Sequence, residues 1–195
     1  YYTYRVSNGE ATITECNNSI SGDVIIPSTL GGYPVAIINS GAFENCKSMK
    51  SVTIPDSVTT IGASAFGGCS ELTAVTMGDN VLSICDGAFS GCTSLISITI
   101  PDSVTTIGNF VFHYCDSLTG IWVDADNAKY CSDAFGVLFD KNKTMLIQAP
   151  AKLSGSYVIP EGVTILEAGA FKGCGNITSI TIPASVAVMY GNVFT

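Results

Sequence analysis

The sequence predicts a strand-dominated solenoid of short stacked coils, with helical segments no longer than one turn or 3-10 turns on the side away from the strands. Three observations predict it. Phe43, Phe66, Phe89 and Phe112 are spaced by 23 residues, and Cys46, Cys69, Cys92 and Cys115 keep the same spacing. Two units read almost alike, IPDSVTTIGASAFGGCSELTAVT from Ile54 and IPDSVTTIGNFVFHYCDSLTGIW from Ile100, with a weaker copy, MGDNVLSICDGAFSGCTSLISIT, from Met77 between them. Each unit also carries a period-two stretch such as Ser97-Ile98-Thr99-Ile100, the pattern of a half-buried strand. A unit this short cannot bury its own apolar face, so a fixed period implies that neighbours stack.

The elements follow in order. Residues 1–16 alternate on either side of Ser7-Asn8-Gly9, a hairpin turn signal. Such a hairpin would cover the first coil. The strand at Ser97–Ile100 ends at Pro101, which cannot donate to a ladder. Asp102-Ser103 then turns the chain, and Val104, Ile107, Phe112 and Cys115 point inward. The expected core is Ile54, Val58, Ile61, Phe66, Cys69, Leu72, Val75 and their repeat equivalents. Stacked strands are expected to form one parallel sheet at ~4.8 Å per coil. One stretch breaks the rhythm: Phe112 to Phe135 is again 23 residues, but Phe135 to Phe171 is 36, an insertion of 13. Residues 136–139 and 144–147 flank Asp140-Lys141-Asn142-Lys143 and read as an inserted β-hairpin.

The expected organisation is one domain over residues 1–195: an N-terminal cap at 1–22, repeats at 23–123, the inserted hairpin segment at 124–156 and repeats again at 157–195. The chain starts at Tyr1 without Met or an apolar leader and stops without a polar closing repeat. The expectation is a piece of a longer chain whose signal peptide and anchor lie outside it.

Composition narrows the function classes. Eight Lys and Arg against 16 Asp and Glu give a net charge of −8, which argues against a nucleic-acid partner. Charged residues make up 12%, about half the ~25% of an average domain. Mean hydropathy is +0.41, yet no apolar run approaches the ~18–20 residues of a membrane span, so membrane insertion is not expected. With so few charges, the surface must be built of Ser, Thr, Asn and Gly.

Catalytic chemistry is not expected, and no cofactor is. His113 is the single histidine and should point outward beside Tyr114, while Cys115 should face the core, so the two cannot form a nucleophile pair. No G-x-S-x-G, P-loop, G-x-G-x-x-G or H-E-x-x-H occurs. Cys46, Cys69, Cys92, Cys115 and Cys174 share one inward position. Their Cβ vectors run parallel at ~4.8 Å, beyond disulfide geometry, and predict a ladder of free thiols. Cys16, Cys85 and Cys131 lie off it, with a bridge to one of them left open. No C-x-x-C pair suggests zinc. Asp56, Asp79 and Asp102, with Glu161 in the equivalent later place, are read as turn formers that bond their own backbone two residues on, not as calcium ligands. Asp124-Ala125-Asp126-Asn127 lacks the Gly and distal Glu of a calcium loop, so no metal site is assigned. The sequons at Asn17, Asn142 and Asn176 matter only in a eukaryotic secretory host.

The outward strand positions carry the candidate site. One row reads Thr53, Thr76, Thr99, Trp122 and later Thr181; its neighbour reads Ser51, Ala74, Ser97, Gly120 and Ser179. Such a face is polar, flat and free of charge. The candidate ligand-binding residues are Trp122, Thr99, Thr76, Ser97 and Gly120. An exposed Trp beside Gly120 is the composition of a binding hot spot. The equal alternative is that the inserted hairpin packs over the indole.

The consensus IPxSVTxIGxxAFxxCxxLxxIT resembles the BspA-like leucine-rich repeat family of bacterial and some protozoan surface proteins. YYTYRVSNGEATITEC is similar to that family's N-terminal cap, IIPSTLGGYPVAIINSGAF to its first repeat, and GVLFDKNKTMLI to a segment that recurs in it. The resemblance spans nearly the whole chain. It implies a leucine-rich-repeat solenoid of the right-handed β/α superhelix class with an open concave strand face. It also implies an extracellular or cell-surface location and non-catalytic attachment to a host protein, matrix, glycan or neighbouring cell. The alternative is a structural spacer that presents another domain of a longer surface protein.

Overall fold

The computed structural model describes residues 2–194. The strands Tyr2–Ser7 and Glu10–Cys16 form an antiparallel hairpin. Asn8 at φ 52° and Gly9 at φ 80° close it, the left-handed pair that a two-residue hairpin turn requires. The second hairpin strand then pairs in parallel with Tyr33–Ile38 of the first full coil, so the cap is continuous with the solenoid.

Two columns of parallel strands climb the molecule. The first holds Gly22–Ile25, Met49–Thr53 and Ala74–Thr76, then Ser97–Ile100 and Gly120–Val123, and resumes after the insert with Ser154–Val158 and Asn176–Thr181. Its registers are those of the repeat: Val52 lies beside Val75, Thr53 beside Thr76, and Thr99 beside Trp122. The single parallel sheet read from the repeats is therefore joined by a second column on another side. This one follows Tyr33–Ile38 with Thr60–Ile61, Ser83–Ile84 and Thr106–Ile107. Two-residue strands are too short to leave a period-two pattern.

On the third side the chain makes turns, and the described residues contain no helix. The cause is two left-handed residues per coil. Gly41, Ser64, Gly87 and Phe110 occupy one such position, and Asn45, Gly68, Gly91 and Tyr114 the other, four residues later. Positive φ ends a right-handed helix after one turn. The freed amides bond across to the next coil instead. Phe43 N–H donates to Ala65 O (2.7 Å), Phe66 N–H to Ala88 O (2.8 Å) and Phe89 N–H to Val111 O (3.1 Å).

Inside, the rings stack. Phe43–Phe66, Phe66–Phe89 and Phe89–Phe112 have centroids 5.0, 5.3 and 6.1 Å apart and lie within 18° of parallel. Tyr2 of the cap meets Phe43 edge-on at 5.9 Å and closes the lower end. A second stack, Phe171–Phe194 at 5.5 Å, stands beyond the insert. Phe135 belongs to neither. Its spacing of 23 from Phe112 is coincidental: it is 55% exposed and packs edge-on against Tyr157.

The insert is a three-stranded antiparallel element, Tyr130–Ser132, Leu138–Asp140 and Met145–Gln148, whose last strand rejoins the second column beside Ile165–Leu166 and Val188–Met189. It divides the core. Strand alternation sends Leu138 into the N-terminal apolar cluster, and Val137 and Phe139 into the C-terminal one. Buried Asn127 fastens its start: the side-chain amide donates to Pro101 O (2.7 Å) and Val104 O (3.0 Å), and Oδ1 accepts from the Lys129 and Tyr130 amides (both 2.8 Å).

Phe89 is fully buried between two rings. Phe89→Ala is expected to cost about 3–5 kcal/mol. Hydrogen exchange should quicken first in the coils holding Phe66 and Phe112 and last in the coil holding Phe171. An equal loss of protection along the whole chain would contradict this.

Candidate ligand-binding face

Each strand of the first column turns alternate residues inward and outward. Ile98 and Ile100 enter the core while Ser97 and Thr99 face solvent. Stacking converts this alternation into rows. Ile25, Thr53 and Thr76 lie side by side in register, Thr99 and Trp122 continue the row one coil on across a break in the strand ladder, and Val158 pairs with Thr181 beyond the insert. Asp23, Ser51 and Ala74 form the adjacent row, which Ser97 and Gly120 continue.

The structure brings the five candidate residues together. Thr76, Ser97, Thr99 and Trp122 are exposed; Gly120 is buried between the indole and Gly136 of the insert, where a Cβ would stand 2.5 Å from Gly120 Cα. A Cβ on Gly120 would stand 2.6 Å from Trp122 Cε2, so only glycine lets the ring lie down. The indole remains 40% exposed. The insert meets the strand's backbone edge: Ile121 N–H donates to Gly136 O (2.9 Å) and Val123 N–H to Ser132 Oγ (3.2 Å).

Sequence reasoning missed Ile25 and Val158, which sit in the same rows at 75% and 65% exposure. Their coils diverge from the consensus, but the hydrophobic residue just before Ile26 and Ile159 was a readable signal. The rows carry little charge. Ser51 Oγ–H donates to Asp23 Oδ1 (2.6 Å) and Ser156 and Ser179 bond to each other (2.8 Å). Lys50–Glu71, at 2.9 Å, is the one ion pair among the described residues, and exposed pairs of this kind contribute little.

The remaining candidates resolve differently. All eight cysteines are free thiols. Three of the inward ladder donate to the carbonyl of the preceding coil's phenylalanine: Cys69 Sγ to Phe43 O (3.1 Å), Cys92 Sγ to Phe66 O and Cys115 Sγ to Phe89 O (both 3.2 Å); at its ends Cys46 donates to Asn18 Oδ1 (3.7 Å) and Cys174 to Pro150 O (3.3 Å). Burial pushes the Cys69 and Cys92 thiols up and raises Cys115 and Cys174 to about 12. Protonated, they act as structural donors, Cys69, Cys92 and Cys115 fully enclosed and Cys174 half-buried. Asp56 does not bond its own backbone two residues on; its Oδ1 accepts from Asp79 N–H of the next coil (3.0 Å). Among the described residues no cluster of three His, Cys, Asp or Glu could hold a metal ion.

His113 does not point outward. Its ring is half-buried against Phe110, at 4.5 Å between centroids, and against Gly169, where a Cβ would stand 2.5 Å from Cε1. Burial, then the Lys172 charge, hold its imidazole below the usual value. Cys115 faces the core, so the two side chains diverge.

A family model described as "BspA type Leucine rich repeat region" matches the chain in six copies over residues 23–144 and 151–195. The chain belongs to the BspA-type leucine-rich repeat family. Among solved structures, this BspA-type chain is similar to a leucine-rich repeat protein from Eubacterium ventriosum, with 26% identity and a TM-score of 0.64. The match covers 94% of this chain and 58% of that one, so this chain spans less than two thirds of that protein. It is also similar to a leucine rich cell surface protein from Faecalibacterium prausnitzii, with 27% identity and a TM-score of 0.54 over 96% of this chain and 70% of that one. The pneumococcal vaccine antigen PcpA shares the fold at 20% identity and a TM-score of 0.69, over 95% of this chain and 69% of that one. Among curated proteins none matches the chain. No helix of the described residues is long and apolar enough to cross a membrane.

The thiol ladder has a direct chemical test. In the native protein Cys69, Cys92 and Cys115 are expected to resist an aromatic disulfide reagent, while half-buried Cys85 and Cys131 react. All eight should react once denaturant unfolds the chain. Reaction of the ladder thiols at the rate of Cys85 would contradict the enclosed arrangement.

Proposed function

We propose that this BspA-type chain is a non-catalytic binding module of a bacterial cell-surface or secreted protein, recognising a host or neighbouring-cell protein or glycan through the open face of its first strand column. One observation carries the reading: a half-exposed tryptophan, held flat on Gly120, at one end of a row of threonines whose other end is exposed Ile25. A soluble surface does not need an indole there. Exposed aromatic anchors ringed by small polar contacts are the arrangement that gives binding hot spots. Repeat stacking supplies the extended surface around it. The family membership and the similar cell-surface protein of Faecalibacterium prausnitzii support the location.

Binding of the purified chain to an array of glycans and matrix proteins tests this, with Trp122→Ala alongside. The substitution is expected to weaken the strongest interaction by about tenfold or more while leaving thermal stability within about 1 kcal/mol. Binding that survives it unchanged would move recognition off this face. No binding by either protein would favour the spacer role.

A further inference from the structure

The column of rings stops at Phe112. Phe89 stacks on one of its faces, and no described ring stacks on the other. At this seam the insert replaces the next coil, and a cavity of about 330 Å³ opens between them. Phe110, Phe112, His113, Tyr130, Leu138 and Gln148 line it. That is the lower end of the range of small-molecule sites.

Gln148 is the unexpected member. A register shift between Leu138 and Phe139 places it opposite Leu138, on the face turned to Phe112, and not on the face of Leu146. It is only 7% exposed, and its side-chain amide makes no hydrogen bond to another described residue. The surface it retains adjoins this cavity and a smaller one of about 220 Å³ behind it. Its polar atoms are not sealed off: they reach water through these openings, and a polar ligand group would replace that water while keeping the amide hydrogen-bonded.

The rim is also built against local backbone preference. Phe110 and Tyr114 both hold φ of 58°, in positions where the preceding coil has Gly87 and Gly91. Bulky residues in the left-handed region are held there by their surroundings, and such positions cluster at ligand sites. The result sets Phe110 half-exposed at the mouth, tilted at 51° against His113, while Tyr114, with Lys172 over its ring at 4.9 Å, lines the smaller cavity behind.

We propose that this seam cavity binds a planar aromatic group carrying a hydrogen-bonding substituent, a phenol or an indole. Its ring packs among Phe110, Phe112 and Tyr130, and its polar atom meets the Gln148 amide. The site lies apart from Trp122 and does not depend on the reading of that face.

The test is an NMR and calorimetric titration of the whole chain with 4-methylphenol, indole and, as apolar control, toluene. 4-Methylphenol is expected to saturate, with shifts at Phe110, His113 and Gln148, and to bind about tenfold more tightly than toluene. Gln148→Leu should erase that preference. Ala168→Phe, at the half-buried rim, keeps Gln148 and should block all three probes. N-acetyltyrosinamide distinguishes sources: binding assigns the site to a peptide side chain, exclusion to a free small molecule. No saturable shift at millimolar probe, shifts elsewhere, or equal binding of toluene and 4-methylphenol by the wild-type chain would overturn the proposal.

Discussion

Everything in this molecule depends on one constraint: a coil of 23 residues has apolar side chains on three sides and no partner for them except the next coil. The Phe stack at 5.0–6.1 Å is the clearest expression of it. The backbone is subject to the same constraint. Amides that would close a helix turn within the coil bond across to its neighbour instead, because two left-handed residues per coil prevent helix growth. Even thiols act between coils: Cys69, Cys92 and Cys115 each donate to the phenylalanine carbonyl one level away. Charge has almost no part in this, which is how a domain with 12% charged residues remains ordered.

Much of this was legible in the sequence because periodicity reports what repeats. The first strand column, the Phe and Cys positions, the cap hairpin and the inserted hairpin all follow from spacing and turn chemistry. What does not repeat was hidden. The second column escaped because Thr60–Ile61 and its equivalents are two residues long. Phe135 kept the period and left the core, since the insert carries its own register. Asn127 looked like part of a failed calcium loop, yet it is a fully buried pin between coil and insert.

The candidate face follows the same division. Thr76, Ser97, Thr99, Gly120 and Trp122 share rows because strands alternate and coils stack, so sequence alone placed them together. The posture of the indole could not be read that way; it depends on the missing Cβ of Gly120. The seam was still less visible. One shifted residue in the last strand of the insert decides that Gln148 and not Ile147 lies opposite Leu138. The irregular segment thus interrupts the solenoid's packing and opens a cavity of about 330 Å³ apart from the regular, shallow face.

If stacking between coils is the source of order, the insert must divide the chain energetically as it divides the core. Native-state hydrogen exchange under increasing denaturant measures this residue by residue. Amides around the Phe43–Phe112 stack should open as one unit, and those around the Phe171–Phe194 stack as a second with its own free energy. Exchange of all protected amides through a single opening, with one free energy from the cap to the last coil, would contradict the account.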